Sequence, residues 1–204
     1  MSKAVLISIQ PKWCELIANG KKTVEVRKTR PRLQTPFKCY IYMTKAKERL
    51  LHIVKDGDEN YGEKYHGKPV FIKTKETSWC TDLYGKEQKV IGEFVCDTIS
   101  WIGQNSLVVK EDVEKALGGT CLTRNEIFDY LGLPIKAEGE YKQCYGWHIS
   151  DLKIYDEAKE LSDFEFSNDN FFKNYRERNK ILKGITRPPQ SWCYVEERES
   201  DESI

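Results

Sequence analysis

The sequence lacks the cysteine and histidine patterns that mark disulfide-rich and metal-binding proteins. Its seven cysteines are an odd number, and no two lie within 15 residues of each other, so there is no CxxC pair. This usage indicates reduced thiols and a cytoplasmic protein. The three histidines lie far apart, and Cys144 with His148 supplies only two of the ligands that a zinc site requires. We therefore predict no metal site, and no motif indicates a cofactor.

Long apolar runs, repeats and low-complexity tracts are also absent. No apolar run approaches the roughly 18 residues that a membrane-spanning helix needs, and the run at residues 4–9 is too short for a signal peptide. At 204 residues the chain is long enough to bury one sizeable core. We expect no membrane insertion, one domain over residues 1–196, and an acidic, disordered tail over residues 197–204.

Charge is present in nearly equal amounts of each sign but is unevenly distributed. The net charge is +1, of which residues 1–50 contribute +9 and the remainder −8. A basic surface that faces a partner would therefore begin in the first quarter of the chain.

Apolar periodicity predicts strands and helices in uneven succession. Predicted strands cover residues 5–9, 22–28, 37–43, 89–101 (long or bent), 145–154 (with a break in phase near residue 151) and the segment after Pro188 and Pro189. Predicted helices cover residues 11–19, 113–117, 123–131 (with a capping box) and 169–183. Residues 44–88 form an insertion or long loops, in which residues 45–54 are interpreted as a short helix and 70–74 as a short strand. This order favours an α+β class, a small β-barrel with helices packed at its ends.

Residues 20–27, Gly-Lys-Lys-Thr-Val-Glu-Val-Arg, form the segment whose side chains are best suited to binding or catalysis. Val24 and Val26 alternate with Glu25 and Arg27, so the two charged side chains should share the opposite strand face. In a regular strand, Lys22 would lie on the same face as the valines. It lies beside Glu25 and Arg27 only if the chain turns or bulges at residues 22–23. Such a trio can bind a nucleobase edge or a phosphate, or activate water with Glu25 as the base. An exposed surface ion pair is the alternative interpretation.

Five sequence blocks resemble a known family. SIQPK at residues 8–12, followed by a short helix and GxKxxExR at 20–27, resembles the signature of ASCH domains, a branch of the PUA-like superfamily. VIGEF at 90–94 and YGWHI at 145–149 resemble later strands of such domains. PPQSWCY at 188–194 is similar to the closing segment of longer bacterial or phage-associated ASCH-like proteins. Residues 44–88 have no counterpart.

The resemblance implies a PUA-like β-barrel that binds RNA or a modified nucleotide in a cleft beside the first helix. We expect Lys22 and Arg27 to meet phosphate or carbonyl oxygens, and Trp192 to stack on the base. Glu25 would accept from a base amine or orient Arg27. The predicted ligand-binding residues are Lys12, Trp13, Lys22, Glu25, Arg27, Ser191, Trp192 and Tyr194.

One ASCH branch is an amidohydrolase of N4-acetylcytidine that uses a lysine, a threonine and a glutamate. Lys22 matches that lysine, but Glu25 stands at the position of the threonine, and a carboxylate cannot replace a hydroxyl nucleophile without a change of mechanism. If the protein is an enzyme, an amidohydrolase or a ribonuclease, Lys22 and Glu25 are the predicted catalytic residues.

Three further interpretations stay open. Residues 44–88 can dock a protein partner. Cys193 with His148 can form a nucleophilic pair, although no local motif supports it. A basic stripe on the predicted helix 169–183 can track phosphates together with the loop after residue 27, through Lys173, Arg176, Lys180, Lys183, Lys28, Arg30 and Arg32.

Overall fold

The computed structural model describes residues 2–45, 52–54, 70–72, 86–103, 110–132, 142–167 and 184–197. The strands in these ranges are β1 (Lys3–Ile9), β2 (Val24–Arg27), β3 (Phe37–Met43), β4 (His52–Val54), β5 (Val70–Ile72), β6 (Val90–Cys96), β7 (Ile99–Gly103), β8 (Gln143–His148), β9 (Ser150–Lys159) and β10 (Trp192–Glu196). The helices are α1 (Pro11–Ala18), α2 (Lys110–Leu117) and α3 (Arg124–Leu131), with a short 3-10 helix at Leu161–Asp163. No helix in this part of the chain is long and apolar enough to cross a membrane.

The described strands form a five-stranded sheet in the order β10-β1-β3-β6-β9, a three-stranded sheet in the order β2-β8-β7, and the pair β4-β5. In the five-stranded sheet β1 and β3 are parallel and the other pairs are antiparallel. Parallel neighbours need a crossover, and residues 10–36 provide it, with α1 and β2 inside it. The predicted α+β class is confirmed, whereas the strands in the described ranges form no closed barrel.

The main core lies where the two larger sheets face each other. Trp147 of β8 is fully buried, and its ring contacts Phe37 at 6.0 Å and Trp192 at 5.9 Å between centroids. Ile7 of β1 and Ile17 of α1 belong to the same cluster. The burial of this apolar surface holds α1 and the three-stranded sheet against the five-stranded sheet.

Two smaller cores cover the outer faces of these sheets. On the five-stranded sheet, Leu6 and Tyr40 pack with Phe164, whose ring lies 4.9 Å from that of Tyr40. On the three-stranded sheet, Val26 packs with Ile127 of α3. Both larger sheets are therefore covered by apolar contacts beyond their shared interface.

Helix α1 begins at Pro11, as predicted, and ends at Ala18, one residue before the predicted end. Pro11 occupies the first turn, where its missing N–H is not needed, and Gly20 follows the end with a φ of +70°. The N–H groups of Lys21 and Lys22 then both donate to the carbonyl of Leu16, at 2.9 and 3.0 Å. The chain thus turns across the end of α1 before β2 begins.

The structure corrects two predicted strands, because each is divided between the sheets. Residues 89–101 form β6 and β7, separated at Asp97 and Thr98, and residues 145–154 belong to β8 and β9, separated at Ile149. β6 pairs with β9 in the five-stranded sheet, whereas β7 pairs with β8 in the three-stranded sheet. The sequence predicted a long or bent strand in the first case and a break in phase near residue 151 in the second, but neither signal distinguishes a change of sheet from a bend within one strand.

The remaining predicted elements fall into three groups. The capping box of Thr123 and Glu126 opens α3 as predicted, and α2 confirms the short helix before it. Residues 52–54 are a strand, so the helical interpretation of residues 45–54 is wrong there, while β5 confirms the strand predicted at 70–74. The predicted helix 169–183, most of segment 44–88 and residues 198–204 lie outside the described residues.

Gly92 tests the packing between β6 and β9. It lies at a register shift of β6, and a Cβ there would be 2.5 Å from the carbonyl oxygen of Lys153. We expect Gly92→Ala to lower the free energy of unfolding by about 1–3 kcal/mol, because the added methyl group overpacks this contact. Urea denaturation followed by tryptophan fluorescence measures the change.

Gly118→Ala is the matched control, since the atoms nearest to its added Cβ are backbone oxygens at 3.5 and 3.6 Å, an ordinary contact distance. Its midpoint should stay close to that of the parent protein. An unchanged midpoint for Gly92→Ala would contradict the predicted clash.

Candidate functional site

Lys22 lies beneath the end of α1 and is almost completely buried, with 2% of its surface exposed. Its Nζ donates to the carbonyls of Val24 at 2.8 Å and Thr120 at 2.7 Å, and lies 3.4 Å from Glu25 Oε2. An ammonium group has three donors, so these partners account for all of them. Lys22 could lie beside Glu25 only if the chain turned at residues 22–23. The structure shows this turn, because β2 begins only at Val24.

Glu25 and Arg27 share one face of β2, as their alternation predicts. Arg27 Nη2 lies 2.9 Å from Glu25 Oε1 and also donates to the carbonyl of Ser8 at 2.7 Å, while Nη1 donates to Ser191 Oγ at 3.4 Å. Arg27 Nε is buried and has no hydrogen-bond partner among the described residues. Glu25 is 5% and Arg27 9% exposed, so the interpretation as an exposed surface ion pair is wrong.

These three residues, which we call the charge cluster (Lys22, Glu25 and Arg27), line one part of a cleft of about 770 Å³. The start of α1 forms one wall, α3 and the segment before it form a second, and the proline-rich segment before β10 forms a third. The lining residues are Ser8, Gln10, Lys12, Trp13, Lys22, Glu25, Val26, Arg27, Thr44, Leu122, Glu126, Asp129, Tyr130, Pro188, Pro189, Gln190 and Ser191.

Six of the eight predicted ligand-binding residues line this cleft together, whereas Trp192 and Tyr194 do not. The Trp192 ring packs between Trp147 and Tyr194, and its Nε1 donates to Thr29 Oγ1 at 3.0 Å. The Tyr194 hydroxyl accepts from the backbone N–H of Arg32 at 2.7 Å. These two side chains therefore hold residues 28–36, which we call the basic loop, against the fold.

The α3 wall contains residues that the sequence prediction missed. Tyr130 is 38% exposed, Lys28 Nζ lies 5.0 Å from its ring centroid, and burial raises the pKa of its hydroxyl. Glu126 and Asp129 come from the same helix. The capping box revealed where this helix starts, but its packing beside β2 depends on contacts between segments about 100 residues apart in sequence.

The formal charges of the described residues that line the cleft balance. Three cations, Lys12 and the two of the charge cluster, face three carboxylates, those of Glu25, Glu126 and Asp129. Lys12 Nζ also lies 4.1 Å from the ring centroid of Trp13. The lining thus offers hydrogen-bond donors, acceptors and aromatic rings together. In the described part of the chain, no group of three His, Cys, Asp or Glu side chains is arranged to hold a metal ion.

Neither Cys14 nor Cys193 has the lowered pKa of an activated thiol nucleophile. Burial and then the charge of Glu25 raise the pKa of Cys14 well above its ordinary value. Burial raises the pKa of Cys193 to about 12, so this thiol is protonated at neutral pH. His148 Nδ1 lies 2.7 Å from Asp97 Oδ1, and this partner lowers the pKa of the Asp97 carboxyl. The geometry gives no support to a Cys193–His148 pair.

Comparison with known proteins points to one family. Residues 7–102, which include the charge cluster, match the family model of the ASCH domain.

Two similar solved structures are a tyrosine-to-phenylalanine mutant and a serine-to-alanine mutant of an ASCH protein from Zymomonas mobilis. The first has 17% identity and a TM-score of 0.51 and covers 96% of this chain and 91% of that chain. The second has 17% identity and a TM-score of 0.51, and the coverage is 95% and 88%. At this identity the likeness concerns the fold. No curated protein matches the chain.

Removing the negative charge of the cluster should be strongly destabilising. Glu25→Gln leaves the cations of Lys22 and Arg27 buried beside each other without a counter-charge, so we expect a loss of about 3–5 kcal/mol in the free energy of unfolding. Lys89→Met, which breaks the exposed pair of Lys89 with Glu160, is the control and should cost no more than about 1 kcal/mol. Equal losses in chemical denaturation would contradict a buried cluster.

The buried thiols should make stability fall at alkaline pH. The pKa of Cys193 is about 12 in the folded protein against an ordinary value of 9.0, so the unfolded state releases its proton first. The contribution is fully present below pH 9 and is lost as pH rises toward 12. We expect Cys193→Ala to reduce the decline of unfolding free energy in this window by up to about 1.4 kcal/mol per pH unit. Parallel pH profiles of the variant and the parent protein would contradict the assignment.

Proposed function

We propose that this chain, in which residues 7–102 match the ASCH domain model, binds RNA or a nucleotide-like ligand in the cleft beside α1. RNA binding is the activity ascribed to the ASCH family. The observation that carries the proposal is the charge cluster, in which a buried carboxylate and a buried guanidinium are held side by side in a cleft with aromatic walls.

The charge cluster supplies a donor and an acceptor in a fixed arrangement. Lys22 uses its donors on Val24, Thr120 and Glu25, so we assign it the role of positioning Glu25. The Glu25 carboxylate is then the acceptor for an exocyclic amine of a base, and Arg27 is the donor for a carbonyl or ring nitrogen. Because the protein already positions both groups, little further ordering is needed when the base binds.

The balance of charge in the cleft favours a base over a polyphosphate. Three carboxylates face three cations there, so a group with several negative charges would meet as much repulsion as attraction. A base presents both donors and acceptors together with a π face. Trp13 and Tyr130, from different walls, are the rings that would stack on it, and Lys28 beside Tyr130 is the cation nearest to the adjoining phosphate.

Tyr130 provides the sharpest test because it is half-exposed and outside the charge cluster. We expect Tyr130→Ala to weaken the binding of a nucleoside or short RNA by about 1–3 kcal/mol, and Trp13→Ala to act similarly, because each removes a stacking ring. Isothermal titration at low salt measures the affinities. Tyr130→Phe keeps the ring and is the matched control, which should bind nearly as the parent does.

The absence of affinity for every nucleoside, RNA and DNA tested at low salt would overturn the proposal. Affinities that are unchanged in both alanine variants would overturn the cleft as the binding site.

Hydrolysis in the same cleft, with Glu25 as a base, is the alternative function. Its support is the buried carboxylate, but the donors of Lys22 are already occupied, and Thr23 is not among the residues that line the cleft. Incubation with N4-acetylcytidine and with short RNAs, followed by mass spectrometry, distinguishes the two functions. Turnover that disappears in Glu25→Gln, in a sample that remains folded, would favour the enzyme.

A further inference from the structure

One face of the three-stranded sheet carries a cluster of polar aromatic side chains beside the basic loop. Trp101 of β7 is opposite Tyr145 of β8, and Gln143 lies two residues before Tyr145 on the same face. Trp101 is 55% exposed, the most exposed large apolar side chain in the described ranges. We call Trp101, Gln143 and Tyr145 the aromatic platform.

Hydrogen bonds order this platform. Trp101 Nε1 donates to Gln143 Oε1 at 2.7 Å, and Gln143 Nε2 donates to the Tyr145 hydroxyl at 2.7 Å. A single exposed tryptophan is common on protein surfaces. Here the hydrogen bond to Gln143, which is itself hydrogen-bonded to Tyr145, fixes the orientation of the indole ring.

Gly103 shows how the indole lies. A Cβ at this glycine would overlap Cη2 and Cζ2 of Trp101, so the six-membered ring rests directly on the Gly103 backbone. One side of the ring is thereby occupied. The large exposed fraction of Trp101 leaves the rest of the ring system open to solvent.

The basic loop borders the platform with positive charge. The Arg30 guanidinium lies 5.8 Å from the Tyr145 ring centroid. A groove of about 830 Å³ lies beside Arg30. Its described lining residues include two arginines and no carboxylate: Arg30, Pro31, Arg32, Leu33, Gln34, Thr35 and Ile99. In contrast to the cleft, this groove complements a chain of phosphates.

The platform and the cleft are joined across the sheet. Arg27 of the cleft is opposite Tyr145, and Tyr145 is opposite Trp101, so two interstrand spacings, about 10 Å, separate the backbones of Arg27 and Trp101. Lys28 and Arg30 of the basic loop lie over Tyr130 and Tyr145 respectively. Aromatic rings with a cation beside them thus continue from the cleft toward Trp101.

We propose that the aromatic platform is a second binding surface, on which single-stranded RNA continues from the base held in the cleft. A flanking base stacks on the open side of Trp101, and Arg30 and Arg32 contact the phosphates between the two bases. This inference rests on the proposed function, because the cleft holds the first base. It adds that the ligand is a single strand of several nucleotides rather than a free nucleoside.

The test compares a nucleoside with single-stranded RNAs of increasing length, measured by titration and by fluorescence anisotropy. The affinity of the parent protein should rise as the RNA becomes long enough to reach the platform. Trp101→Ala should lower the affinity for the longer RNAs by about 5- to 150-fold and leave nucleoside affinity unchanged. Trp101→Phe, which keeps a ring, is the matched control.

Gly103→Ala provides a second variant that removes no aromatic atom. Its methyl group displaces the indole, so it should reproduce part of the loss seen with Trp101→Ala. Arg30→Ala should reduce the salt dependence of binding, by about 0.7 in the logarithmic slope for each phosphate that the variant no longer neutralises. Lys153→Ala, at an exposed cation on β9, should leave the slope unchanged.

The outcomes separate the platform from the cleft. Longer RNAs that bind equally well to Trp101→Ala, Gly103→Ala and the parent protein would overturn the platform, while a loss in Tyr130→Ala would still support the cleft. A loss in Trp101→Ala with none in Tyr130→Ala or Trp13→Ala would show RNA binding at the platform, but it would overturn the cleft as the site of the first base and with it the continuation of the strand from the cleft. If no RNA of any length binds, both are overturned, and the exposed indole belongs to a different kind of interface.

Discussion

The burial of three charged side chains is the constraint on which the rest of this site depends. Charged groups leave water at a large cost, which is offset only when each one has partners in good geometry. Lys22 finds its partners in Val24, Thr120 and Glu25, and Arg27 finds its own in Glu25 and in the carbonyl of Ser8. The segments that supply these partners cannot separate without exposing an uncompensated charge. The cluster therefore joins β1, β2 and the turn after α2 at one point.

Around this point the fold separates two kinds of surface. Among the described lining residues, the cleft has balanced charges and rings from two helices, whereas the neighbouring groove has two arginines and no carboxylate. Trp192 packs between Trp147 and Tyr194, and the two residues hold the basic loop, which lines the groove, through Thr29 and Arg32. These aromatic side chains position the cationic loop without lining the cleft themselves. Loss of their packing would affect recognition through the placement of that loop.

The local elements of the fold were largely predictable. Proline at the start and glycine after the end defined α1, the Thr123–Glu126 capping box defined the start of α3, and the residue pattern of 37–43 defined β3. The motif at residues 20–27 also identified the charge cluster, since alternation along a strand is a short-range property. The two strand corners were not predictable in the same way. Residues 97–98 and residue 149 carry no break in apolar periodicity that distinguishes a change of sheet from a bend.

The sequence by itself determined which residues have the chemistry to recognise a ligand, because charge, aromaticity and strand parity are local properties. It also determined the family resemblance that the match over residues 7–102 supports. Only the tertiary structure decided that Lys22 is buried with Glu25 and Arg27 and that α3 supplies Tyr130 to the cleft. It also decided that Trp192 packs on Trp147 and does not line the cleft. Those outcomes depend on which distant segments exclude water from one another, and no spacing along the chain encodes that exclusion.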